Sequence, residues 1–234
     1  MTDAAAAVRA LVDARRHASA PVVVGIAGAV AAGKSVLAEA VRDRLDERAD
    51  VVSTDGFLLP NSVLQHRGLV DRKGFPESYD VAALRDFLTA ARADELPRLV
   101  PRYSHISYDV EGTREVPAVD VLVVEGVNVL SAAADLVHVG VYVDAAEADV
   151  ERWFVQRFFA LCAEAREDPQ SFYRSFASMS EPEQAAVADE VWRGVNLPNL
   201  RDHIAPSAAR ADLVITKGPE HAVRSVTTRD DGAP

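Results

Sequence analysis

The sequence predicts an α/β fold: a doubly wound, mostly parallel sheet flanked by helices on both faces. Three observations carry that expectation. Short β-branched runs recur at PVVVGIA (21–27), VVST (51–54), VLVVE (121–125), HVGVYVD (138–144) and DLVITK (212–217). Each is close to continuously apolar, as strands buried on both faces of a parallel sheet are, rather than alternating as half-exposed antiparallel strands do. Helical spacing fills the intervals, and strand–helix alternation is the pattern of a wound parallel sheet. A length of 234 residues fits one large domain of this kind.

Taken in order, residues 1–20 read as an amphipathic N-terminal helix. After the first strand a helix is expected over 34–48. VVST then reads as a central strand that ends on Asp55, with Gly56 permitting a sharp exit and Phe57–Leu59 packing down as an apolar loop. A helix over 79–93 follows. Residues 96–118 are the least regular stretch, broken by Pro97, Pro101, Gly112 and Pro117. Helices are expected over 145–165 and 181–203. Asp144 with Glu147, and Ser180 with Glu183, have the spacing of a capping box at their starts. Residues 228–234 read as a frayed, flexible tail.

Composition narrows the function classes. Hydrophobic residues make up 49% of the chain and charged ones 26%, ordinary globular usage. No run has the apolar length of a membrane span, and the N-terminus lacks the basic start, apolar block and cleavage site of a secretory signal. A net charge of −11 argues against non-specific binding to nucleic acid or anionic membrane. Cys162 is the single cysteine, which excludes an intrachain disulfide and a cysteine zinc site. A reducing, cytoplasmic location fits these features.

Residues 28–35, GAVAAGKS, satisfy G-x-x-x-x-G-K-[ST] between a strand and a helix, the context that motif requires. Gly28 and Gly33 let the backbone wrap, so that the peptides of Ala29, Ala31 and Ala32 can turn N–H groups towards phosphate oxygens at a helix start. Lys34 would neutralise the β- and γ-phosphates of ATP, and the Ser35 hydroxyl would ligate Mg²⁺. Glu125 ends VLVVE. Ligands of wound sheets sit beyond the strands' carboxyl ends, so Glu125 is placed to hold the metal directly or through water. Asp55 ends another strand, and two carboxylates beside one phosphate loop invite one metal role and one base role. The residues alone thus read as a P-loop NTPase or kinase fold with no named acceptor.

Further segments resemble the bacterial type I pantothenate kinases, within the P-loop kinase group that includes uridine kinase and phosphoribulokinase. They are GIAGAVAAGKS (25–35), STDGFLLPN (53–61), GLVDRKGFPESYD (68–80), RYSHISYD (102–109), VVEGVNVL (123–130), VNLPNL (195–200) and ITKGPEHAV (215–223). The resemblance implies transfer of the ATP γ-phosphate to the primary hydroxyl of pantothenate, the first step towards coenzyme A, and a homodimer. It implies Asp55 as the acceptor-hydroxyl base and Arg157 as the cation on the transferring phosphoryl. It implies Tyr103, His105 and Asn196 as pantothenate contacts, Phe158, Phe172 and Tyr173 as an aromatic lining, and Lys217 and His221 as neighbours of the nucleotide base. Phe158 and Phe159 are adjacent on a helix and cannot face the same way, so at least one is core.

The chain also departs from that family. Residues 1–20 stand where relatives carry a longer helical segment that helps cover the nucleotide base. Phe154 replaces a tyrosine that contributes to pantothenate binding. Glu39 stands where a basic residue helps bind inhibitory coenzyme A, and Leu161 where an aromatic stacks on its adenine; weak feedback inhibition is the expectation. The rival readings are a related kinase for a nucleoside, sugar or other small hydroxyl compound, and a catalytically inactive nucleotide-binding regulatory module.

Overall fold

The computed structural model describes residues 2–16, 21–45 and 48–229. The elements are α1 (Thr2–Ala14), β1 (Val22–Gly28), α2 (Lys34–Arg42), β2 (Ala49–Ser53), α3 (Asn61–His66), α4 (Val81–Arg92), β3 (Arg98–Ser104), β4 (Asp109–Val116), β5 (Val121–Glu125), α5 (Val129–Ala133), β6 (Val139–Ala145), α6 (Glu147–Glu164), α7 (Arg174–Ala177), α8 (Glu181–Val191), β7 (Leu213–Lys217) and β8 (Val223–Thr228). The main sheet has six strands in the order β2-β5-β1-β6-β7-β8. Its first five strands pair parallel, and β8 closes the far edge antiparallel to β7.

The five strands expected from the apolar runs are β1, β2, β5, β6 and β7. Every residue of β1 and β5 is buried, as two-sided coverage by helices requires. Burying each of their Val and Ile side chains is worth about 1.5–3 kcal/mol. Helix α1 contributes Ala4, Ala5, Val8 and Val12, all at 0% exposure, on the single stripe that their spacing dictates.

Four local expectations are corrected. Strand β2 lies at the edge of the main sheet rather than its centre, and it stops at Ser53. Its open edge is covered by Arg114 of β4, which pairs with Asp50 at 2.7 Å and donates to the Val51 carbonyl. The irregular stretch 96–118 contains an antiparallel hairpin, β3–β4, with a register shift between Pro101 and Tyr103. Asp144 is not a cap: it lies within β6 opposite Thr216, while Ala146 precedes α6 and Glu147 pairs with Arg201. The tail expected over 228–234 is ordered at its start, where Thr228 closes β8 and the Arg229 N–H donates to the Asp212 carbonyl; residues 230–234 lie outside the described set, as do residues 17–20 of the expected N-terminal helix.

The remaining helices hold with shorter bounds. Helix α2 closes at Arg42. The Ser180–Glu183 capping box forms, with the Ser180 N–H donating to Glu183 Oε2 at 2.7 Å. Beyond α8 the helical path widens into π turns at Trp192–Asn196 and Leu200–Ile204. Pro198 and Pro206 follow these turns. Each lacks an N–H and crowds the carbonyl four residues back, which an i→i+5 turn relieves.

Candidate active site

The phosphate loop is built by the strand-to-helix junction. β1 ends at Gly28, and α2 starts at Lys34 after Gly33 adopts the left-handed conformation (φ 82°, ψ 36°). Ala31 is also left-handed (φ 59°). Alternation of this kind turns successive N–H groups inward as an anion nest. Lys34 Nζ donates to the Ala29 carbonyl at 2.8 Å across the loop. Burial pushes the Lys34 pKa down, with Glu125 and Asp55 opposing that shift and Arg157 adding to it.

Ser35 Oγ donates to Glu125 Oε1 at 3.2 Å. Glu125 is 6% exposed. Burial pushes its carboxyl pKa up; Lys34 opposes this and Asp55 reinforces it. The pair presents two side-chain oxygens beside the phosphate loop. Among the described residues, no group of three or more His, Cys, Asp or Glu converges as a cage of its own. Ser35 and Glu125 are oxygen donors of the kind that hold Mg²⁺ together with nucleotide phosphates.

Asp55 follows β2 in a short 3₁₀ turn, Thr54–Phe57, where its N–H donates to the Ser53 hydroxyl at 3.3 Å. Phe57 and Leu58 are buried beside it; Phe57 packs on Phe87 at 5.9 Å, and Leu58 bridges to Tyr79. Gly56 serves a different need from the expected sharp exit. A Cβ there would stand 2.3 Å from the Pro101 carbonyl oxygen, so glycine lets the hairpin lie against the Asp55 turn.

Two cavities meet at this loop. One, of about 710 Å³, is lined by Gly33, Lys34, Ser35, Trp153, Lys217 and His221 among others. The second, of about 370 Å³, is lined by Asp55, Tyr103, His105, Glu125, Arg102 and Glu39 among others. Ala31, Lys34, Ser35 and Arg157 line both. Arg157 thus stands at the junction, and the ion pairs of its helix use Glu147 and Asp149 instead.

The structure sorts the other expected residues. Lys217 Nζ donates to the Ala32 carbonyl at 2.7 Å and lies 2.6 Å from where a Gly33 Cβ would stand, so it buttresses the loop. His221 stacks on Trp153, with ring centroids 3.9 Å apart. Tyr103 meets His105 edge-to-face at 5.2 Å. Phe158 is buried in a satellite core with Cys162 and Ala188, and it touches Tyr173 at 5.9 Å. Phe172 and Tyr173 join Tyr103 through Tyr108, which stacks on Phe172 at 4.6 Å. Phe158, Phe172 and Tyr173 thus belong to an aromatic flap beside the second cavity rather than to its wall. Asn196 lies on the first π turn with Nδ2 unpartnered among the described residues. Its neighbour Asn199 donates to the Gly74 carbonyl at 2.8 Å.

Trp153, Tyr108 and Lys73 escaped the reading of the sequence as site residues. Trp153 had a signal: four residues before Arg157, it shares that helix face. Tyr108 and Lys73 had none beyond their motifs, because their contacts depend on how the hairpin folds back.

Known proteins resemble the chain in sequence and in fold. No protein-family model matches the chain. The pantothenate kinase of Sorangium cellulosum is 45% identical over 224 residues, covering 89% of this chain and 73% of that one. The pantothenate kinase of Xanthobacter autotrophicus is 41% identical over 236 residues, covering 93% and 73%. Among solved structures, a protein assigned as a fructose transport system kinase from Silicibacter superposes with TM-score 0.67 at 25% identity, covering 84% of this chain and 92% of that one. D-glycerate 3-kinase from Cryptococcus neoformans superposes with TM-score 0.66 at 13% identity, covering 96% and 99%, a likeness of fold. The chain belongs to the pantothenate kinase family.

Proposed function

We propose that this protein transfers the γ-phosphoryl group of ATP to the primary hydroxyl of pantothenate. The observation that carries this reading is the junction of the two cavities at Lys34, Ser35 and Arg157, with Asp55 on the acceptor side only. ATP occupies the larger cavity. Its phosphates lie on the loop N–H groups and Lys34, and its base lies near the Trp153–His221 stack. Ser35 and Glu125 would hold Mg²⁺, which would supply charge neutralisation to the phosphates.

The acceptor enters the smaller cavity beside Tyr103 and His105. Asp55 orients its hydroxyl and takes the proton as the oxygen–phosphorus bond forms and the bond from phosphorus to the β,γ-bridging oxygen breaks, releasing ADP. Arg157 faces the transferring group from both cavities, and its planar fork suits paired phosphoryl oxygens.

The test is ADP release with pantothenate, a nucleoside, a sugar and glycerate as acceptors, for the natural chain and for Asp55→Asn. Turnover is expected with pantothenate, and Asp55→Asn should lower it by about 10²–10⁴-fold while ATP still binds. Turnover with a nucleoside or sugar and none with pantothenate overturns the acceptor. An active Asp55→Asn overturns the base.

A further inference from the structure

We propose that Lys73 is a positioning residue for the acceptor site, locking the tip of the β3–β4 hairpin to the start of α3 so that Tyr103 and His105 stay beside Asp55. The inference rests on the kinase reading above for its activity arm, and on geometry alone for its second arm.

Lys73 lies in the loop before α4 and does not line either cavity. Its ammonium donates to Asn61 Oδ1 at 2.7 Å and to the Tyr108 carbonyl. The same centre lies 4.3 Å from the ring centroid of Tyr108 and 5.1 Å from that of Tyr103. Asn61 completes the knot: its Nδ2 donates to the Tyr108 carbonyl at 3.0 Å and its N–H donates to Asp109 Oδ1 at 2.9 Å. One half-buried cation therefore joins the first residue of α3, the end of the hairpin turn and two of its aromatic rings.

The turn needs such a tie. Tyr108 is held at φ 56°, a conformation costly for an aromatic L-residue. From that position it meets Tyr103 on one side and stacks on Phe172 on the other. The Phe172 N–H donates to the Ile106 carbonyl at 2.7 Å, so the hairpin tip in turn carries the segment leading into α7. Helix α7 is in turn tied to α8 by Gln184, whose Nε2 donates to the Phe176 carbonyl at 3.0 Å. Among the described residues, no other cation holds the two tyrosine rings and the turn carbonyl at one point.

The charge state supports the same role. Burial pushes Lys73 down to about 8, against the opposing pull of Asp109 and Asp55. The phenols of Tyr103 and Tyr108, which also face it, are pushed up by burial and stay neutral in this range. A depressed lysine holds fewer protons folded than unfolded between about 8 and its ordinary 10.5. Its contribution to folding stability therefore rises with pH across that window, while its cation–π and charge-assisted contacts are lost. Positioning and stability move in opposite directions.

The test uses Lys73→Met and Lys73→Arg in the full chain, with two readouts. In ADP release, Lys73→Met should raise the KM for pantothenate about tenfold and leave the KM for ATP within about twofold, with Lys73→Arg restoring most of the loss. The natural chain's acceptor KM should rise from pH 7 to pH 9, and that rise should be absent from both variants. In hydrogen exchange without any substrate, amides of residues 103–110 should exchange about tenfold faster in Lys73→Met, with β1 and β5 unchanged. An unchanged hairpin exchange overturns the proposal, even if KM rises, because Lys73 would then act by touching the acceptor. Faster exchange with an unchanged acceptor KM overturns it as well. Exchange accelerated throughout the sheet, with both KM values raised, assigns Lys73 to general stability and also overturns it. If the natural chain does not turn over pantothenate, the acceptor assignment fails by itself, and the exchange experiment still decides the role of Lys73.

Discussion

Ser35 Oγ donates to Glu125 Oε1 across 3.2 Å, tying the start of α2 to the end of β5. The two residues are ninety positions apart in the chain and meet because β1 and β5 are adjacent parallel strands, Ile26 opposite Glu125. This contact sets the floor of the site, and the metal chemistry should depend on it. In Glu125→Gln, the Mg²⁺ concentration for half-maximal turnover should rise by about 10–100-fold. A Mg²⁺ titration of ADP release checks this, and an unchanged titration would remove Glu125 from the metal site.

Arg157 lines both cavities, so its loss should act on the chemical step more than on either substrate alone. Arg157→Ala should lower kcat by about 10²–10³-fold, the usual cost of removing one charge-stabilising group. Arg157→Lys should recover only part of that, because an ammonium does not offer the paired, planar donors of a guanidinium. Steady-state kinetics with both substrates varied separates this outcome from a pure rise in KM.

Gly56 is required by the hairpin rather than by its own backbone angles, since a Cβ would meet the Pro101 carbonyl oxygen at 2.3 Å. Gly56→Ala must push β3 away from the Asp55 turn. We expect a loss of about 1–3 kcal/mol in stability, typical of overpacking, together with a raised acceptor KM. Denaturant unfolding beside kinetics checks both, and an alanine variant of natural stability would show that the hairpin yields freely.

Glu39 lines the acceptor cavity and pairs with Arg42 one turn along α2. A carboxylate on that wall repels phosphate-bearing ligands. Coenzyme A is therefore expected to inhibit weakly, and Glu39→Arg should strengthen the inhibition. Inhibition by coenzyme A at concentrations comparable to ATP, competitive with ATP, would contradict this.

Much of the fold was legible because its signals are local. Continuous β-branched runs marked the five parallel strands, and GAVAAGKS sat in the strand–helix context that gives the motif its meaning. The β3–β4 hairpin was not legible. Pro97, Pro101, Gly112 and Pro117 read as breakers, yet Pro101 is tolerated at a register shift in a two-stranded ribbon with open edges. The false cap at Asp144 arose from spacing alone: strand pairing with Thr216 claimed the residue before the helix began.

By itself, the sequence determined the chemistry available: a phosphate loop with Lys34 and Ser35, two strand-end acids, and an arginine on a helix. The phosphate-loop and strand-end assignments follow from residue type and near-neighbour context, and that of Arg157 from the resemblance to the kinase family. Only the tertiary structure decided which groups share a space. It set β2 at an edge where the hairpin could cover it, brought Ser35 to Glu125, placed Arg157 between two cavities, and moved Lys217 onto the Ala32 carbonyl. It also drew Lys73, Asn61 and Tyr108 into one knot. Contacts between distant segments are settled by strand order and by the packing of buried faces, neither of which is written in any local stretch of the chain.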